Sequence, residues 1–155
     1  MKTVLVTGGA KRLGAAISRR LARSGWKVVI HYRGSASEAE ALAGEISALT
    51  IAADLVDAAA AEALPARASA LLAGPLDAVV NSASVFEYNT AATFAAEDFD
   101  RDIAVNLRAP AMIARAFAKS LSAGRSGAVV NLLDQKLWNL NADFFSYTIS
   151  KMGLE

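Results

Sequence analysis

The chain has no cysteine among its 155 residues, so neither a disulfide framework nor a thiolate metal site can be built from it. It has one histidine, His31, too few for a histidine-rich metal site, and no metal centre is expected. It also lacks an excess of charge of either sign. Sixteen lysines and arginines stand against 15 aspartates and glutamates, a formal net charge of +1. With no basic run or stripe, nucleic acid is not an expected partner. No segment approaches the ~20 apolar residues of a membrane span, so no membrane partner is expected either. Met1-Lys2 leads directly into an apolar run. That leaves no room there for a signal peptide, and a cytoplasmic protein is the expectation.

What the chain does have is apolar surface. Hydrophobic residues make up 54%, many of them alanine and valine, which suits helices packed on a buried sheet. The length fits one domain. Apolar runs at Val4-Leu5-Val6 and at residues 27–32, 49–53, 76–80 and 128–133 read as strands. The first helix follows Gly14 and stops at Ser24-Gly25. Further helices are expected over residues 36–47, over 57–72 with a break or kink at Pro65, and over 97–122, as one helix or two meeting near 106–110. A last helix begins near Phe144. This alternation implies an α/β fold, a doubly wound parallel sheet with helices on both faces. Near-continuous apolar strands such as Val79-Val80 and Val129-Val130 agree. Such sheets bind ligands beyond the carboxyl ends of their strands, so the residues just after each strand carry the functional reading.

After the first strand comes Thr7-Gly8-Gly9-Ala10-Lys11-Arg12-Leu13-Gly14. Gly8 and Gly9 permit a tight turn and a close backbone approach to a ligand, and Gly14 lets the helix pack close to the sheet. The helix N-terminus offers N–H groups and a positive dipole end to a pyrophosphate. An ordinary strand-to-helix turn is the plainer reading. After the second strand comes His31-Tyr32-Arg33-Gly34-Ser35. An NAD site usually places an acid about 20 residues beyond the glycine turn, for the ribose hydroxyls, yet none stands here before Glu38. Arg33 and Ser35, with Arg12 reaching from the turn, offer a cation and a hydroxyl to a 2′-phosphate. NADPH/NADP is therefore the expected cofactor, with solvated surface as the alternative reading of Arg33.

The spacing T-G-x-x-x-R-x-G resembles the glycine motif of the short-chain dehydrogenase/reductase family. Arginine at position 12, where most members carry glycine, resembles the pteridine reductase branch, as does the histidine-tyrosine, basic residue and serine pattern after strand two. Tyr147-Thr148-Ile149-Ser150-Lys151 is similar to the family's Tyr-x-x-x-Lys. Residues four apart share a helical face. A nearby ammonium lowers a tyrosine pKa from its ordinary value near 10, so Tyr147 can protonate a substrate as hydride arrives. The resemblance implies that Lys151 also binds the nicotinamide ribose and that Asn106 helps hold a water relay. A polar break in a helix is the plainer role of Asn106. The resemblance further implies a cofactor site of Gly8, Arg12, Leu13, Arg33, Ser35, Asp54, Leu55, Asn81, Ser82 and Ala83, with Tyr147 and Lys151. Asp54-Leu55 would flank the adenine, unless Asp54 only caps a helix. Asn81-Ser82-Ala83-Ser84 stands where the family has Asn-Asn-Ala-Gly.

Asp134 departs from the common pattern, which has serine thirteen positions before the tyrosine. An ionised carboxylate only accepts hydrogen bonds. It repels a carbonyl oxygen, raises the pKa of Tyr147 and suits a substrate that presents N–H groups. Pteridine reductases have aspartate at this position, serine where Ser84 stands, and a phenylalanine where Phe86 stands, stacked on the pterin. Phe86 reads equally well as a loop aromatic tucked under its own turn, and Asp134 as a loop cap. The resemblance implies NADPH-dependent reduction of a dihydropterin or dihydromonapterin, with Asn106, Asp134, Tyr147 and Lys151 catalytic and Ser84, Phe86 and Asp134 holding the substrate. Alternatives are reduction of another small carbonyl or imine compound, or a non-catalytic dinucleotide sensor, which would need none of Asn106, Tyr147 and Lys151. The family continues with two more strands and a segment over the substrate. Residues 1–155 are thus expected to form an NADP-binding Rossmann domain that stops soon after the catalytic helix begins. The full-length protein is expected to form a homo-oligomer, dimeric or tetrameric.

Overall fold

Val4 and Val6 point to one face of the first strand, β1 (Thr3–Thr7), and Leu5 points to the other. All three are fully buried, so helices must cover both faces. The computed structural model describes residues 1–155 and has that arrangement. In chain order, β1 leads to α1 (Arg12–Arg23), β2 (Lys27–Tyr32), α2 (Ala36–Ile46), β3 (Leu49–Ala52), α3 (Ala58–Leu72) and β4 (Ala78–Asn81). Then come α4 (Ala96–Ile103), a π-helical turn (Ala104–Arg108), α5 (Ala109–Ser120), β5 (Ala128–Asn131), a 3₁₀ turn (Gln135–Trp138) and α6 (Phe145–Leu154). The strands form one parallel sheet in the order β3-β2-β1-β4-β5. The order reverses between β1 and β4, which makes the carboxyl end of that pair the switch point where ligands bind.

One core layer packs Leu5, Val29 and Val79 against Leu64 and Ala68 of α3 and Ile113 and Phe117 of α5. The other packs Val4, Val6, Val28 and Ile30 against Ala15 of α1 and Ala39 and Leu42 of α2. Three sequence expectations need adjustment. α3 runs through Pro65 without a break; Ala61, Leu64, Pro65 and Ala68 form its buried face, and packing against α5 holds it as one helix. The stretch before Pro110 is neither one helix nor two separate ones, because the π-helical turn joins α4 to α5. Val79 and Val80 are buried, whereas Val129 and Val130, on the edge strand β5, are 40% and 49% exposed.

Polar groups hold the strand ends where apolar packing stops. Thr7 Oγ1 accepts hydrogen bonds from the backbone N–H groups of Ser82 and Ala83, each at 3.0 Å, and so ties the loop after β4 to the end of β1. On the next strand pair, Asn81 Nδ2 donates to Asn131 Oδ1 at 2.8 Å. Thr7→Val keeps the shape of the side chain but leaves two part-buried donors without their partner. It should destabilise the fold by about 1–3 kcal/mol in a urea melt, since these partly exposed N–H groups can turn to water. A cost below ~0.5 kcal/mol would mean that the loop is held by other contacts.

Candidate active site

Two clefts open at the carboxyl ends of β1 and β4. The first, about 440 Å³, is lined by the glycine turn, by Tyr32, Arg33, Gly34 and Ser35 after β2, by Asp54 and Leu55 after β3, and by Ala83, Ser84 and Val85 after β4. The second, about 450 Å³, runs from Lys11, Arg12 and Leu13 past Ser82 and Ser84 to Phe86, Asp134 and Tyr147. Gly8, Lys11, Ala83 and Ser84 belong to both.

The glycine turn is fixed by steric exclusion. Gly8 has φ +61°, and a methyl group there would lie 2.8 Å from Ala83 Cα. A methyl group on Gly14 would lie 2.1 Å from the Gly8 carbonyl oxygen. Gly14 thus lets α1 approach the turn itself rather than the sheet. Lys11 occupies the N-cap position, no side chain caps α1, and its first turn holds no acid. Cations at that end oppose the helix dipole, but they suit an anion bound there. Arg12 adopts φ +47°, a conformation that costs a non-glycine residue of order 1–3 kcal/mol and that clusters at functional sites. Arg12 lines the second cleft, not the first. The cation that reaches the first cleft from the turn is Lys11, paired there with Glu38 of α2 at 2.6 Å. Nothing in the sequence pattern marks Lys11, because its neighbour Arg12 carries the motif.

Asp54 lines the first cleft and accepts from Val56 N at 3.0 Å. The helix cap is Asp57, whose carboxylate accepts from Ala59 N and Ala60 N. Asn81 lines neither cleft. It is buried between β4 and β5, and its Oδ1 has no partner. His31 is also buried. Its Nδ1 accepts from Gly8 N at 3.1 Å and its Nε2 donates to Ala53 O at 3.1 Å. Burial pushes its pKa down to about 4, the Ala53 hydrogen bond opposing that only in part. Sequence reading had assigned this histidine no contacts.

At the second cleft, Tyr147 Oη donates to Asp134 Oδ2 at 2.7 Å. Asp134 also accepts from Lys136 N at 2.9 Å, and chiefly this bond holds its carboxyl below the usual carboxylate range. Lys151 Nζ donates to Leu132 O at 2.8 Å and lies 5.8 Å from the centre of the Tyr147 ring. Burial lowers the pKa of Lys151, while Asp134 raises it. Tyr147 itself is pushed up, first by burial and then by the hydrogen bond and charge of Asp134. The expectation that Lys151 lowers the tyrosine pKa therefore does not hold in this geometry: desolvation and the adjacent carboxylate outweigh the ammonium.

Asn106 is fully buried, and its side chain is fully committed. Oδ1 accepts from Ser84 Oγ at 3.0 Å and Val85 N at 2.9 Å, and Nδ2 donates to Val85 O and Ser150 Oγ, each at 3.0 Å. An asparagine amide has two donors and two acceptor positions, so none remains for the expected water. The side chain ties the loop after β4 to α6. Ser84, expected at the substrate, spends its hydroxyl in this network. Phe86 does not tuck under its own turn. It stacks on Phe144 at 4.0 Å between ring centres and meets Tyr147 edge-on at 4.6 Å. Phe144 had no sequence signal beyond its place before a helix. A second network pins the start of α6: Asn89 Nδ2 donates to Ser146 Oγ at 2.7 Å, and Ser146 Oγ donates to the buried Asp102 carboxylate.

The pairing of Tyr147 with Asp134 has a measurable consequence. Asp134→Asn removes the charge that favours the protonated phenol, so the Tyr147 pKa should fall toward its ordinary value while remaining elevated by burial. Ultraviolet titration, with Tyr147→Phe as the blank, reads the change. No fall would show that burial alone sets the pKa.

The chain resembles known proteins over almost its whole length. The short chain dehydrogenase family matches residues 2–155. NADPH-dependent aldehyde reductase 2, chloroplastic, from Arabidopsis thaliana is 30% identical over 99% of this chain and 63% of its own length. The crystal structure of FolM alternative dihydrofolate reductase 1 from Brucella canis, complexed with NADP, is 40% identical with a TM-score of 0.93, over 99% of this chain and 64% of that one. A short-chain dehydrogenase/reductase from Serratia marcescens is 33% identical with a TM-score of 0.90, over 99% and 64%. The chain thus spans somewhat less than two thirds of the length of these relatives. With the family matched from residue 2 to residue 155 and the fold shared with the Brucella canis structure, the chain belongs to the short-chain dehydrogenase family.

Proposed function

We propose that the protein is an NADPH-dependent reductase whose substrate is a pterin or a similar flat, N–H-bearing heterocycle. The observation that carries this reading is the 2.7 Å hydrogen bond from Tyr147 to Asp134, in the cleft that Phe86 also lines. A carboxylate there accepts from N–H groups and repels carbonyl oxygens.

The residues present fit a phosphorylated dinucleotide. The contact between Gly8 and Gly14 forms a cradle that any β-carbon would fill. The uncapped start of α1 faces it with Lys11 and Arg12. Arg33 and Ser35 stand in the first cleft where an NAD site would carry an acid. NADP is the ligand of the Brucella canis structure, which supports the same choice here. When bound, the nicotinamide supplies a hydride.

The chain's residues do the rest. Lys11, Arg33 and Ser35 bind and orient the phosphates. Tyr147 holds a proton on Oη at neutral pH, because burial and Asp134 both disfavour its phenolate. Asp134, ionised, orients that proton and accepts from a ring N–H of the substrate. Lys151 offsets the negative charge left on Tyr147 once its proton is transferred. Asn106 fixes the loop after β4 against α6, so the two walls of the cleft keep their spacing.

The cofactor choice predicts tighter binding of NADPH than of NADH. Arg33→Asp should shift that preference toward NADH by about 1–3 kcal/mol, the worth of a charge-assisted hydrogen bond to the 2′-phosphate. Fluorescence titration showing equal affinities in the unmodified protein would remove the assignment.

The substrate choice predicts that dihydropterins are reduced far better than simple ketones. Tyr147→Phe should cut turnover by ~10²-fold or more with cofactor binding retained. Phe86→Ala should raise KM for the pterin, since stacking of a base-like ring on an aromatic is worth about 1–3 kcal/mol. If Asp134→Ser leaves pterin turnover unchanged, the substrate is another carbonyl or imine compound.

A further inference from the structure

We infer that His31 is a positioning residue of the cofactor cleft, locking the glycine turn to the adenine-side wall through its neutral imidazole. The inference rests on the dinucleotide reading above and goes beyond it, because no ligand need touch the ring polar atoms.

His31 is 2% exposed, yet it lines the first cleft together with Gly8, Asp54 and Leu55. Both ring nitrogens are engaged by backbone groups from different segments. Gly8, in the turn after β1, donates its N–H to Nδ1, and Ala53, after β3, accepts from Nε2. The backbone repeats the link on both sides: Gly9 N donates to His31 O at 3.0 Å, and Ala53 N donates to Tyr32 O at 3.1 Å. The strand-end segments are thereby tied in the order turn, β2, β3.

Only one protonation state permits this. Nδ1 must be bare to accept from Gly8, and Nε2 must carry the proton. A second proton on Nδ1 would face the Gly8 N–H. The charged side chains bearing on the ring are Asp54 after β3 and Arg67 on α3, whose effects oppose each other.

The turn also packs closely on the loop after β4, since a β-carbon on Gly8 would lie 2.8 Å from Ala83 Cα. The two segments that the ring joins both border the first cleft: the glycine turn on one side, and on the other Ala53, which leads into Asp54 and Leu55.

The test compares two variants and one spectrum. His31→Asn places Oδ1 near the position of Nδ1 and keeps the acceptor for Gly8, whereas His31→Leu keeps bulk and loses both bonds. His31→Leu, which loses both bonds, should weaken NADP binding by roughly 10-fold or more, while His31→Asn, which keeps the Gly8 bond and loses the Ala53 bond, should fall between it and the unmodified protein. Thermal melts of all three proteins, free of ligand, separate this rescue from general loss of structure. Nitrogen-15 spectra of the unmodified protein at neutral pH should show His31 with Nε2 protonated, Nδ1 bare, and the Gly8 amide slow to exchange. A ring protonated on Nδ1 overturns the inference, as does a His31→Leu protein that binds NADP normally, or a His31→Asn protein no better than it. Failure of the unmodified protein to bind NADP at all overturns the dinucleotide reading itself, and the inference falls with it.

Discussion

The backbone contact between Gly8 and Gly14 governs the geometry of everything around the clefts. No side chain fits between the carbonyl oxygen of one and the α-carbon of the other. The start of α1 is therefore pressed onto the turn that follows β1, at the place where strand order reverses. Helix dipole, unpaired N–H groups and the two clefts converge there because the chain carries no β-carbon at either position. The strain at Arg12 is a further consequence. The residue that opens α1 must leave a turn with no room to relax.

Around this contact the structure changes its means of cohesion. The sheet is held by apolar side chains on both faces. Its carboxyl end is held by polar side chains that each join two segments: Thr7 joins β1 to the β4 loop, His31 joins the turn to β3, Asn106 joins the β4 loop to α6, and Ser146 joins α6 to Asp102 and Asn89. Loops cannot be built from apolar packing alone, because their backbone polar groups need partners. A binding surface made of loops also needs those partners to be specific, so that the spacing between walls does not drift.

This division explains what could be read from the sequence. The alternation of strands and helices and the placement of α1 to α3 were legible because apolar runs and glycine stops follow a fixed periodicity. The glycine turn, Tyr147 and Lys151 were legible because their spacing is itself the signal. Long-range polar pairs were not. Nothing local to His31 shows that Gly8 and Ala53 will reach its two nitrogens, and nothing near Phe144 shows that it will stack on a residue 58 positions earlier. The opposite error occurred at Pro65, where a strong local breaker was overruled by packing against α5. At Asn106 the four partners that occupy its side chain could be counted only in three dimensions.

The electrostatics of the second cleft are where this chain departs most from a Tyr–Lys pair acting alone. An ammonium beside a phenol favours loss of the proton, and a carboxylate favours its retention. Here the carboxylate is in direct contact, while the ammonium is engaged by Leu132 O. Tyr147 is therefore a stable proton store rather than a primed phenolate. Such a group is suited to donation, provided the acceptor becomes basic only as hydride arrives. A ring nitrogen beside the carbon that takes the hydride meets that condition, because it gains electron density in the same step. In the function proposed above, Asp134 would also make the cleft selective before any chemistry begins, because an ionised carboxylate accepts from an N–H and repels an oxygen that has no proton to offer. The same carboxylate would then set both which molecules are held and when Tyr147 releases its proton.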